Sequence, residues 1–150
     1  MEVEYLELED VIELHDLALE RYGGIQGREK NKLEGLLTIP MAGFQGYEKY
    51  PTILDKAAVY LYFLASGHGF SDGNKRTSYL ATFTFLDWNG YDLIVDDDEL
   101  YRFIKLVADD QTRPPFEEAQ EWISRYAQKR KLEETQEWIG EHIAHRIEEK

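Results

Sequence analysis

The stretch HGFSDGNKRTSY, residues 68 to 79, concentrates the side chains of this sequence that can do chemistry. His68 has an ordinary pKa near neutrality and is suited to take a proton from a hydroxyl nucleophile. Asp72 is a hard oxygen ligand of the kind that holds Mg²⁺ against phosphates. Lys75 and Arg76 can neutralise charge on a transferring phosphoryl group, and an arginine can grip two oxygens at once. Asn74 can hold the loop through its amide or contact a phosphate. Phe70 is apolar among polar neighbours, which predicts that it anchors the loop in the core.

The backbone of the same stretch points the same way. A glycine-containing loop runs straight into a helix, and a helix start leaves N–H groups without intrahelical partners in a field that favours negative charge. Gly73 permits a close approach or an unusual φ. Two cations in a first helical turn oppose the dipole unless an anion sits there, and such local conflict is expected at functional sites. The pattern is not a P-loop, because Asn74 separates Gly73 from Lys75. Each residue has a plainer reading alone: a structural histidine, an N-cap at Asp72 or Asn74, two surface cations. A base, a metal ligand, anion-binding backbone and two cations together form one working set.

The elements that must position this loop read as helices. Leu8, Val11, Ile12, His15, Leu19 and Tyr22 share a helical face, which Gly23-Gly24 closes. His15 on that apolar face is expected to be buried and hydrogen-bonded. A short helix near Leu33–Leu37 ends before Pro40. PMAGFQGYEKYP, residues 40 to 51, has no helical period and reads as an ordered loop or short extended flap. Leu54, Ala57, Ala58, Leu61, Leu64 and Ala65 form the face of a helix that Gly67 ends. After the motif, TSYLATFTFLDWNG is apolar on most sides and is expected to be a central, buried helix. YDLIV reads as a short extended piece. Two further helices carry Leu100, Phe103, Ile104 and Val107, then Phe116, Ala119, Trp122, Ile123 and Tyr126.

The tail repeats itself: EEAQEWI at 117–123 returns as EETQEWI at 133–139. On one continuous helix the second copy would face about 160° away from the first, so either the chain bends near residues 128 to 132 or the second patch meets a partner. His142 and His145 lie in this tail without a third ligand that periodicity brings alongside.

The chain has 150 residues, 43% hydrophobic and 13% aromatic, which fits one folded domain with a real core. A formal net charge of −13 repels nucleic-acid backbones and suits a basic partner segment. The absence of cysteine, the acidic first twenty residues and the lack of a membrane-length apolar run lead to the expectation of a cytoplasmic protein without membrane contact.

HGFSDGNKRT resembles the Fic/Doc family signature, H-x-F-x-D/E-G/A-N-G/K-R, and EDVIELHDLALERYGG resembles the first helix of its death-on-curing (Doc) members. The resemblance covers about residues 4 to 127 and leaves 128–150 as a C-terminal helical extension. It implies an all-α fold, a compact helical bundle with the motif loop between two central helices. Most Fic proteins transfer AMP to a protein hydroxyl, with Gly where this chain has Lys75 and a second Arg where it has Tyr79. Doc-type proteins share the Asn-Lys-Arg form and transfer the γ-phosphate of ATP to a threonine of elongation factor Tu. The resemblance thus implies a Doc-type protein kinase that inhibits translation as a toxin, with AMP transfer or an inactive binding module as rivals. By the same resemblance His68 is the base and Asp72 the Mg²⁺ ligand. Asn74, Lys75 and Arg76 contact phosphate, with the Ser71–Arg76 backbone, Gly73 included, as the anion hole. Gly43, Phe44, Gln45, Gly46 and Tyr47 form the flap that aligns the target segment. A separate antitoxin, with a Phd-like helix in a groove beside the site, is implied as partner, because the Fic self-inhibition motif S/T-x-x-x-E-G/N is absent.

Overall fold

Hydrophobic periodicity becomes helix nearly everywhere it is read. A computed structural model describes residues 2–131. Helices α1 (Leu8–Tyr22) and α2 (Lys30–Thr38) lead through a 3-10 turn (Ile39–Met41) into the hairpin β1 (Gly43–Phe44) and β2 (Tyr47–Glu48). Then come α3 (Ile53–Ser66), α4 (Asn74–Trp88), β3 (Tyr91–Leu93), α5 (Asp97–Ala108), α6 (Phe116–Tyr126) and β4 (Ala127–Lys129). The all-α expectation holds, with two short two-stranded sheets added.

Helix α3 is the hub. It opens with a reciprocal cap in which Thr52 Oγ1 accepts from the Asp55 N–H at 3.0 Å and Asp55 Oδ2 accepts from the Thr52 N–H at 3.4 Å. It then buries residues on nearly every side, from Ile53 and Lys56 through Ala57–Leu61 to Leu64 and Ala65. Its neighbours are α4, α5, α6 and the 3-10 turn. The core runs from Leu61 and Phe85 to Ile104 and Ile123, and Phe103 stacks on Trp122 with ring centres 4.8 Å apart.

Helix α4 packs along α3, but the expectation that it buries its whole circumference needs correction. Phe83 and Trp88 are each 44% exposed, and its buried face carries Thr77, Ser78, Ala81 and Thr82. These short side chains let α4 lie close to α3, and the hydroxyls of Ser78 and Thr82 return to backbone, while Thr77 Oγ1 is buried without a hydrogen-bond partner among the described residues. Ser78 Oγ donates to Leu61 O at 3.0 Å and Thr82 Oγ1 to Ser78 O at 2.8 Å. Phe85 and Leu86 complete the buried face, and Phe83 and Trp88 are left for the outer side.

The first copy of the tail repeat lies in α6, where Trp122 and Ile123 are buried. The chain then turns into β4, antiparallel to β3 with Tyr91 opposite Lys129 and Leu93 opposite Ala127. The second copy, His142 and His145 lie outside the described residues. Both ends of the described chain meet the Asn89–Gly90 turn after α4. Asn89 Nδ2 donates to Glu4 O at 2.9 Å and Oδ1 accepts from the Glu4 N–H at 3.0 Å, while the Arg130 N–H donates to Gly90 O at 2.8 Å.

Candidate active site

Gly67 ends α3, and six residues later Gly73 starts α4 as its N-cap, with φ 79° and ψ 13°. That left-handed conformation strongly favours glycine. An added Cβ here would sit 3.4 Å from the His15 ring, at ordinary contact distance, so the backbone conformation and not space favours glycine. The cap brings no side-chain hydrogen bond and the first turn no acid. The N–H groups of Asn74, Lys75 and Arg76 therefore have no partner within the helix and point out of its start beside two cations.

The loop between the two helices is held from three sides. Asn74 clamps it from within: Oδ1 accepts from the Phe70 N–H at 3.1 Å and Nδ2 donates to Phe70 O at 2.9 Å. The loop after α1 pairs with it as an extended segment. Ser71 N–H donates to Gly27 O at 3.0 Å and Glu29 N–H to Gly69 O at 2.9 Å, with Arg28 opposite Phe70. Gly24 and Gly27, at φ 133° and 147°, permit this approach. A Cβ on Gly24 would meet Asp72 Oδ2 and one on Gly27 would meet Ser71 Oγ. From below, the His15 ring stacks on Phe70 at 3.7 Å and 6°, and its Nε2–H donates to Asp72 O at 2.8 Å. Phe70 is buried, as expected of an anchor, and His15 is 3% exposed.

On the outer side the motif side chains converge. A cleft of about 800 Å³ is lined by His68, Ser71, Asp72, Gly73, Asn74, Lys75 and Arg76, with Tyr22, Tyr79 and Tyr101 among its other walls. His68 is exposed and adopts a left-handed φ of 51°, a strained state for a non-glycine residue of the kind that clusters at working sites. Asp72 is fixed by the N–H groups of Ile25 at 3.1 Å and Gly73 at 2.8 Å. Those two bonds, and then the charges of Lys75 and Arg76, hold its carboxyl below the ordinary carboxylate range. It stays ionised with lone pairs left on both oxygens. The Arg76 guanidinium lies 4.2 Å from the centre of the Tyr22 ring, which steadies it over an aromatic face.

The structure thus places all seven of these motif residues on one cleft and Phe70 beneath it. It divides two roles that sequence left joined. The Asn74 side chain is engaged with Phe70, and the Ser71 N–H with Gly27, so the donors facing the cleft at the helix start are those of Asn74 to Arg76. The flap, residues 43–47, is a hairpin whose turn is Gln45 at φ 48° and Gly46 at φ 83°. The walls that sequence reasoning missed are Tyr22, Tyr101 and Asp97. Tyr101 lies one residue past Leu100 on the apolar side of α5, and nothing local sets it apart from a surface tyrosine.

One carboxylate beside two cations and the bare N–H groups of a helix start would fit a Mg²⁺ ion shared with phosphates rather than an all-protein cage. Among the described residues no three metal-ligating side chains stand together. Among them, too, no helix is long and apolar enough to cross a membrane.

Comparison with known proteins follows the same residues. The Fic/DOC family model matches residues 5–86, from the N-terminal segment to near the end of α4. A protein of Mycolicibacterium smegmatis named Toxin Doc is 41% identical over 96 residues, 63% of this chain and 72% of that protein. A protein of Escherichia phage P1 named Protein kinase doc is 36% identical over 93 residues, 61% of this chain and 72% of that protein. With more than half its length matched to the family model, and the signature assembled on one cleft, the chain belongs to the Fic/DOC family.

Proposed function

We propose that this protein is a Doc-type toxin, a protein kinase that transfers the γ-phosphate of ATP to a threonine hydroxyl of a translation factor resembling elongation factor Tu. The observation that carries the reading is the convergence of His68, Asp72, Lys75, Arg76 and the bare start of α4 on one cleft. Relatives named as a toxin and as a protein kinase support it.

In this reading the phosphates of ATP lie against the Asn74–Arg76 N–H groups, with Lys75 and Arg76 neutralising their charge. His68 accepts the proton of the acceptor hydroxyl as its oxygen bonds to the γ-phosphorus. The bond from that phosphorus to the β–γ bridging oxygen breaks, and ADP leaves. Asp72 is the residue that would hold Mg²⁺, which when bound offsets phosphate charge. Lys75 occupies the position where AMP-transferring relatives have glycine, and Tyr79 the position of their second arginine. Both substitutions favour γ-phosphate transfer.

A partner fits the same picture. Between the N-terminal segment and α2 lies a hollow of about 570 Å³, floored by Tyr5, Leu8, Leu37 and Met41 and rimmed by Glu4, Glu7 and Glu34. An apolar floor with acidic edges suits an amphipathic helix with basic flanks, such as a Phd-like antitoxin segment.

Intact mass of a candidate acceptor after incubation with ATP tests the reading. A phosphate-sized increment that His68→Ala lowers by roughly 10²-fold or more, with nucleotide affinity retained, is expected. An AMP-sized increment would overturn it in favour of AMP transfer. Growth arrest undiminished in a folded His68→Ala protein would point instead to an inactive binding module.

A further inference from the structure

Lys56 lies on α3, the helix that leads to His68, and it is 1% exposed. Lysine is almost never buried this fully unless paired. Its Nζ donates to Pro40 O at 3.0 Å and to Glu48 Oε1 at 3.3 Å, and lies 5.4 Å from the centre of the Tyr5 ring. Its two acceptors stand at the two roots of the hairpin. Pro40 precedes β1, and Glu48 belongs to β2.

The hairpin has little else to hold it. Each strand is two residues long, and the pairing extends only to the Lys49 N–H bonded to Ala42 O at 2.9 Å. A lone two-stranded hairpin is marginal in water. Phe44 is 74% exposed and Tyr47 69%, so the arm does not bury its aromatics against the body. Tyr50, buried and edge-on to Phe116 at 5.4 Å, fixes the chain only after β2. Lys56 is the contact that reaches both roots from the helical body.

We propose that Lys56 is a positioning residue: its ammonium fixes the angle of the hairpin on α3 and so sets where an acceptor polypeptide, paired along a free strand edge, lies relative to His68. This rests on the phosphotransfer reading above. The chemistry explains why a charged group occupies a buried site. An ammonium has three tetrahedrally spaced donors, here met by a carbonyl, a carboxylate and an aromatic face. An apolar side chain of the same length would fill the space, leave Pro40 O unpaired and let the arm swing. The two-residue strands leave each outer edge unpaired, and a free edge presents backbone donors and acceptors to an extended segment.

The test compares wild type, Lys56→Met, Lys56→Arg and Glu48→Gln, with melting temperature measured for each. Glu48 is half-exposed, so Glu48→Gln weakens the same tether even if Lys56→Met folds poorly. Two readouts are taken. Amide exchange at Phe44, Tyr47 and Lys49 should rise on the order of tenfold in Lys56→Met and less in Glu48→Gln. The KM for the protein acceptor should rise while the affinity for ATP and the kcat at saturating acceptor stay within about twofold, with Lys56→Arg restoring part of the loss. Unchanged hairpin exchange, or equal losses for acceptor and nucleotide, would overturn the proposal. A wild-type protein that phosphorylates no acceptor would defeat the kinase reading, and the exchange data would still judge the tether.

Discussion

At the scale of single residues, the site divides into groups that face the cleft and groups that hold the loop. Asp72 does both: its carbonyl is fixed by His15 and its carboxylate by Ile25 and Gly73. If the carboxylate holds Mg²⁺, Asp72→Asn should weaken nucleotide binding more with Mg²⁺ present than without. Calorimetric titration in both conditions checks this, and equal effects would remove the metal role. His15→Phe keeps an aromatic ring on Phe70 but leaves the part-buried Asp72 carbonyl without its donor. It should destabilise the protein by about 1–3 kcal/mol in urea unfolding, and a variant as stable as wild type would exclude His15 as a support of the loop. The reactive residues were legible because they are contiguous and their chemistry is unusual in company. The burial of His15 was legible from helical spacing, but its partner was not, since Asp72 lies 57 positions away. Lys56 was hidden for a different reason. On a helix judged by its own pattern, a lysine marks the outer face, and only neighbours on every side of α3 turn that face inward.

At the scale of elements, positions in the chain matched the periodicity closely for α5 and α6, whose one-sided apolar faces meet the core, and less well for α1, where Val11 and His15 are buried but Tyr22 is exposed and Ala18 is buried instead. Periodicity misjudged α4, where Thr77, Ser78 and Thr82 share the buried side with Phe85 and Leu86 while Phe83 and Trp88 face outward, because hydroxyls that bond their own or a neighbouring backbone, as those of Ser78 and Thr82 do, behave as small apolar groups. It left the flap undecided between loop and strand. The pairing of β3 with β4 needed a contact between segments far apart in sequence, which no local pattern carries. Helix α5 also contributes an acid-sensitive link. Glu99, in its first turn, accepts from Arg102 Nε and Nη2, both at 2.7 Å, and from Trp122 Nε1 on α6 at 2.8 Å. The Arg102 bonds first, and the Trp122 bond second, lower its pKa from 4.5 to about 2. A carboxyl with a depressed folded pKa contributes stability that is fully present above its unfolded value and is lost as pH falls through the folded one. The loss should therefore fall between about pH 4.5 and pH 2. Glu99→Gln should flatten the decline of the urea midpoint across that window, and an unaltered slope would show that the link does not matter to the fold.

At the scale of the whole molecule, α3 and α4 carry the site between them and the remaining elements brace it. The last described residues belong to this frame. Arg130 Nη2 donates to Asp87 Oδ1 at 2.6 Å, Asp87 O at 3.0 Å and Tyr91 O at 3.2 Å, and its Nε lies 3.3 Å from Asp92 Oδ1, near enough for charge attraction but outside hydrogen-bond geometry. Arg130→Ala should cost about 1–3 kcal/mol in urea unfolding and leave nucleotide affinity unchanged. A loss of affinity would mean that the far end of α4 is coupled to its start. The turn at Asn89–Gly90 has one further consequence. Because Glu4 and Arg130 both bond to it, the two ends of the described chain lie side by side at the pole opposite the start of α4. A short linker could splice them into a circle, and the circle could be reopened between Gln45 and Gly46. The rearranged polypeptide would keep every described helix and the whole cleft at the start of α4 while the hairpin was cut in two, which, if the kinase reading holds, would separate burning ATP from marking a protein within a single molecule.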